Sequence, residues 1–74
     1  MQTAKVSGND VVKVGQYVCF KSDYEQTGKV AKIRKNMFGY TELVLTTDSD
    51  EGFGGDYLCG SNTTVELASD CWVE

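Results

Sequence analysis

The chain has 74 residues, 41% of them hydrophobic and 24% charged, with a net charge of −4 from seven basic and eleven acidic side chains. That length bounds it to one domain (residues 1–74) with a thin core, burying only about 60–65% of its unfolded surface. The composition excludes a disordered chain, and the acidic balance argues against a protein whose main task is to coat a phosphate backbone.

The first ten residues, "MQTAKVSGND", have no apolar centre of a secretory leader and read as a loose N-terminal arm. No apolar run approaches the roughly 18–20 residues that span a bilayer, so no membrane association is expected, and the expected location is cytoplasmic. The first strand signal is "QYVCF", where Gln16, Val18 and Phe20 alternate with Tyr17 and Cys19. "KSDYEQTG" reads as a polar loop and "GKVAKIRK" as the next strand. "NMFG" supplies Asn and Gly for a hairpin turn. "YTELVLTT" is rich in β-branched and aromatic residues, with Leu43 and Leu45 on one face and Tyr40, Glu42 and Val44 on the other.

Beyond it, "DSDEGFGGD" is a loop by composition, "YLCG" a short strand and "SNTTVELA" a further one. At the end, "SDCWVE" places Asp70 to cap a tight turn, with Trp72 and Val73 returning under the first strand. Strand signals every 10–12 residues predict an all-β fold: a small antiparallel barrel of five or six strands. Phe20, Ile33, Leu45 and Trp72 are expected to converge inside it.

The segment "VGQYVCF", a polar loop and then "GKVAKI" resembles the KOW and Tudor type of Src-homology-3-like barrel. Gly15, Val18, Phe20, Gly28, Val30 and Ile33 carry the likeness, which covers about residues 11–47. On that resemblance Val18, Phe20, Val30 and Ile33 fill the barrel, and Gly28 allows a bend or bulge where a side chain would strike the first strand. The resemblance also implies docking on RNA or on the transcription and translation machinery, with the 21–28 loop framing a ligand groove. The Gly-aromatic loop and Cys-Trp ending depart from the KOW pattern. The small, acidic, Pro-free chain is also similar in style to short accessory proteins encoded by bacteriophages, which would place it in a host cytoplasm.

Catalysis has little to work with. There is no His, Ser, Thr and Cys have no evident base, and paired carboxylates occur only in the acidic loop. Cys19, Cys59 and Cys71 form no CxxC, so zinc is not expected. They read as small buried hydrophobes in a reducing compartment, and a Cys59–Cys71 bridge requires neighbouring strands. The Asp48–Asp50 opening resembles a calcium loop, but Gly52 and Phe53 stand where that loop needs an oxygen ligand and then its glycine. No enzyme activity, cofactor or metal is therefore expected.

Binding is the expected role. The rings of Tyr17, Tyr24, Tyr40, Tyr57 and Trp72 exceed what so small a core needs, and amphipathic aromatics are typical contact residues. Lys29, Lys32, Arg34 and Lys35, with Phe38 and Tyr40, could form a basic stacking face for nucleic acid. Their alternative use is to solvate an edge hairpin. Phe53, Gly54, Gly55 and Tyr57 could clamp a nucleotide-like ligand by stacking, with the basic 29–35 hairpin, across a subunit boundary, meeting its phosphates; the alternative is an ordinary hairpin loop with Phe53 folded back on the core. The expected partner is a host protein or such a small phosphorylated ligand, sequestered by a homo-oligomer. A KOW-like RNA-docking module and a purely structural oligomer unit are the alternatives.

Overall fold

In the computed structural model, which describes residues 2–22, 24–48, 52–53 and 62–74, six strands are present among those residues. They are β1 (Thr3–Lys5), β2 (Val11–Lys13), β3 (Tyr17–Ser22), β4 (Tyr24–Lys35), β5 (Thr41–Thr46) and β6 (Thr63–Leu67), with short 3-10 turns at Ser7–Asn9 and Ala68–Asp70. The fold is all-β. β1 and β2 form a two-stranded sheet, and β3-β4-β5-β6 form a four-stranded one, antiparallel throughout.

Alternation places the core. Val18 and Phe20 of β3, Val30 and Ile33 of β4 and Leu43 and Leu45 of β5 are all buried, as the sequence pattern requires. Val30 and Ile33 are three apart and would point to opposite faces of a regular strand. A bulge between Val30 and Lys32 adds one residue to β4, and both side chains then face inward. The bend expected at Gly28 therefore lies at Ala31 instead. Gly28 sits inside β4, paired with Val18. A Cβ there would meet the Leu45 Cβ at 3.0 Å and the Phe53 ring at 3.1 Å, so its obstacle is β5 and Phe53, not the first strand.

Three sequence expectations are corrected. First, the segment expected as a polar loop is paired strand at its described residues: Lys21 pairs with Glu25, Phe20 with Gln26 and Cys19 with Thr27. Second, the N-terminal segment is no loose arm. Thr3–Lys5 pair with Val11–Lys13, and Ala4, Val6 and Val12 join the core. Third, Trp72 is half-buried and outside the core cluster.

Register explains the third. The Cys19 amide donates to the Trp72 carbonyl at 2.7 Å, and the Trp72 amide donates to the Cys19 carbonyl at 3.0 Å. Paired antiparallel residues share a face, and Cys19 faces away from Val18 and Phe20, so Trp72 does too. Cys71, one residue earlier, takes the inward place and is fully buried. The segment does return beside the first strand, as expected, but edge to edge. It also joins the two sheets, because the Ser7 amide donates to the Cys71 carbonyl at 2.8 Å. Asp70 lies within the 68–70 turn, which has no side-chain cap. The short strand expected at 57–60 lies outside the described residues.

Candidate functional site

The β4–β5 hairpin ends in a tightly held tip. Asn36 and Tyr40 are joined by a backbone bond at 2.9 Å, and the Gly39 amide donates to the Asn36 carbonyl at 3.0 Å. The Asn36 side-chain oxygen accepts from the amides of Phe38 (2.9 Å) and Tyr40 (3.1 Å). Gly39 has φ +85°, a left-handed conformation that glycine adopts without steric cost. Arg34 and Asn36 both bond the Glu42 carboxylate, at 3.1 and 3.4 Å. One asparagine thus satisfies the donors that the turn would leave to water.

On this frame Met37, Phe38 and Tyr40 are 90%, 77% and 63% exposed. Three large apolar side chains on one ordered turn far exceed the scattered apolar exposure of an ordinary surface. Arg34 and Lys35 flank them. Two shallow depressions meet at Thr41: one of about 220 Å³ lined by Arg34 and Lys35, the other of about 280 Å³ lined by Lys5 and Tyr40. Met37 and Lys5 escaped sequence reasoning, Lys5 because only the fold brings β1 to this hairpin.

The basic residues do not guard an edge. β4 lies between β3 and β5, so the reading of its lysines as edge solvation is corrected. The bulge sets Lys29, Lys32 and Arg34 on the outer face, opposite Thr46, Val44 and Glu42. Val65, 40% exposed, pairs with Val44 beyond Lys32. Tyr17 and Tyr24 are exposed but stand apart from the tip, Tyr17 opposite Lys29 and Tyr24 at the far end of β4.

Phe53 does not belong to a ligand clamp. It is 2% exposed, and its ring meets Phe20 edge to face, centroids 5.2 Å apart at 75°. The missing Gly28 side chain leaves room for it, and burying a phenyl ring outweighs exposing it on a loop. Gly54, Gly55 and Tyr57, expected beside it, lie outside the described residues.

The thiols offer no nucleophile among the described residues. Cys19 and Cys71 are buried and free, and the Cys71 thiol donates to the Leu67 carbonyl at 3.4 Å. Burial, then the charges of Glu66 and Asp70 and the neighbouring Cys19, push the Cys71 thiol up to about 12. At pH 8 an ordinary thiol near 9 holds about a thousand times more thiolate. Alkylation of Cys71 by iodoacetamide in the native chain should therefore lag behind the urea-unfolded chain by at least that factor. Native labelling at the unfolded rate would refute the burial. The folded state also keeps its proton where the unfolded thiol loses it, so this contribution to stability is full below about pH 9 and fades as pH rises toward 12.

Among the described residues no helix is long and apolar enough to cross a membrane, and no group of three or more His, Cys, Asp or Glu could hold a metal ion. Fold and tip together define a small all-β module with an ordered, aromatic, basic-flanked hairpin. No family model, no curated protein and no solved structure matches the chain.

Proposed function

We propose that this chain is a non-enzymatic binding protein whose contact element is the β4–β5 hairpin tip. The observation that carries this reading is the exposure of Met37, Phe38 and Tyr40 on a turn already ordered by Asn36. A pre-ordered loop loses little entropy on association, and a cluster of aromatic and Met side chains is the usual composition of an interface centre. Lys35 and Arg34 beside it favour a partner with an apolar recess and an acidic rim. The small phosphorylated ligand loses its stacking ring with Phe53 in the core, so a protein partner is preferred.

Docking on RNA is the second reading. Lys29, Lys32 and Arg34 on one face of the sheet favour it, and the net charge of −4 opposes it. On that reading, replacing Lys32, Arg34 and Lys35 together removes a salt-sensitive affinity. The finer architecture, a small Src-homology-3-like barrel of KOW or Tudor type, belongs to the same proposal. The burial of Val18, Phe20, Val30 and Ile33 supports it, although the strands form two sheets bridged by Cys71 and Trp72 and do not close into one ladder. A viral accessory role in a host cytoplasm is the setting in which such a module would sequester its partner.

The test is a photo-crosslinking residue at position 38, with one at Glu25 as control, in cells producing the chain. The expected result is a discrete product at 38, absent at 25, whose mass identifies protein or RNA. Equal, diffuse labelling at both positions would reject the tip as contact element.

A further inference from the structure

At the other end of the molecule, three segments leave a second apolar surface. Val11, Tyr17 and Val73 are exposed there, Val11 and Tyr17 by 60% and 58%. Around them is a cleft of about 340 Å³ lined by Asp10, Val11, Val12, Gln16, Tyr17 and Val73. The Val6 amide bonds the Asp10 carbonyl, and Lys13 bonds Gln16 through both its amide and its carbonyl. In an antiparallel ladder this makes Ala4–Val12 the bonded pair, so the Val11 amide and carbonyl face away from β1.

Cleft and tip are complementary. The tip protrudes and the cleft is concave. A cavity of about 150 Å³ already holds a benzene ring, so the cleft has room for the Phe38 ring and part of the Met37 chain. Lys35 beside the tip and Asp10, the one charged residue lining the cleft among the described residues, have opposite signs; Arg34 is held by Glu42, and at the cleft margin Glu74 follows Val73 while Lys29 stands opposite Tyr17. A chain cannot fill its own cleft. Tyr17 pairs with Lys29, and the tip starts seven residues further along β4, about 23 Å away at roughly 3.3 Å per residue, in a molecule 30 Å long.

We propose that the hairpin tip of one copy seats in the Val11–Tyr17–Val73 cleft of a second copy, so that the chain assembles head to tail. The proposal rests on the reading of the tip as contact element and names its partner as this same chain. Tip and cleft are different surfaces, so the contact is heterologous: each dimer keeps one free tip and one free cleft, and assembly continues into a filament or closes a ring. The contact is small, so assembly should depend on concentration over the micromolar range and above.

Sedimentation velocity across that range tests it with Phe38→Asp and Val11→Lys, both at exposed positions where the fold tolerates charge. The wild-type chain should grow beyond a dimer with concentration, and each variant alone should stay monomeric. Mixed together, the two variants should form a dimer and stop, because one intact tip meets one intact cleft. A wild-type chain that stays monomeric, or an oligomer that survives either variant, or a mixture that remains monomeric while circular dichroism shows both variants folded, overturns the proposal. If the chain is monomeric yet position 38 crosslinks to another molecule, the cleft assignment falls and the tip remains the contact element. If no discrete crosslink forms either, both fall.

Discussion

Replacing Phe53 by alanine is expected to cost about 3–5 kcal/mol, the range for removing a large aromatic from a packed core. The whole stability of a 74-residue domain is roughly 4–11 kcal/mol, so the variant should be barely folded or unfolded at 25 °C. The reason is local. Phe53 is nearly inaccessible, contributes its edge-to-face contact with Phe20, and fills the space over Gly28. Its surroundings, Phe20 and Leu45, are themselves fully buried, so the lost ring leaves a void inside the core. Urea denaturation reads the loss directly. In a domain of this size each kcal/mol lowers Tm by about 4–8 °C, so a drop of about 12 °C or more is expected. Had Phe53 been a ligand clamp on a surface loop, alanine would leave Tm unchanged and abolish binding. An F53A chain melting within a few degrees of wild type would thus return Phe53 to the surface.

Much of the fold is legible in the residues, and the failures share a cause. β3 and β5 each have one face in the core, so their alternation survives in the sequence and correctly marks Val18, Phe20, Leu43 and Leu45. The β3–β4 ladder runs past the core. Tyr24, Glu25 and Thr27 are exposed, no alternation remains, and a paired strand reads as a polar loop. The N-terminal hairpin offers only Ala4, Val6 and Val12 to the core, too few for a period. Phe53 sits among glycines and acids whose composition signals a loop, which leaves both a clamp and a ring folded back on the core open, and its burial selects the second. Trp72 looks like core by size, but its register with Cys19 decides its face. The tip is legible through Asn36, Phe38, Gly39 and Tyr40, which lie within five consecutive positions. The cleft is not, because Val11, Tyr17 and Val73 come from separate segments that only the fold assembles.

The Gly28→Ala substitution separates propensity from packing. Gly28 lies in a regular strand and has no positive φ, so the backbone accepts alanine, and loss of unfolded-state entropy alone would stabilise the variant by about 0.4–1 kcal/mol. Against this, the new methyl carbon would stand 3.0 Å from the Leu45 Cβ and 3.1 Å from the Phe53 Cζ. The ring can shift by a few tenths of an ångström. The Leu45 Cβ is fixed to the backbone of β5 and moves only if that strand moves. Overpacking of this kind costs about 1–3 kcal/mol, so the expected net effect is a loss of about 1–2 kcal/mol. The same substitution made on a Phe53→Leu background should cost less but should not become neutral, because the shorter side chain relieves only one of the two collisions. That coupling is measurable by a double-mutant cycle in urea. A Gly28→Ala chain as stable as wild type would mean that β4 and β5 are not held at this separation. The closeness of β4, β5 and the Phe53 ring is what brings Val30, Ile33 and Leu45 into one core, and the same β4–β5 pairing carries the tip at its far end.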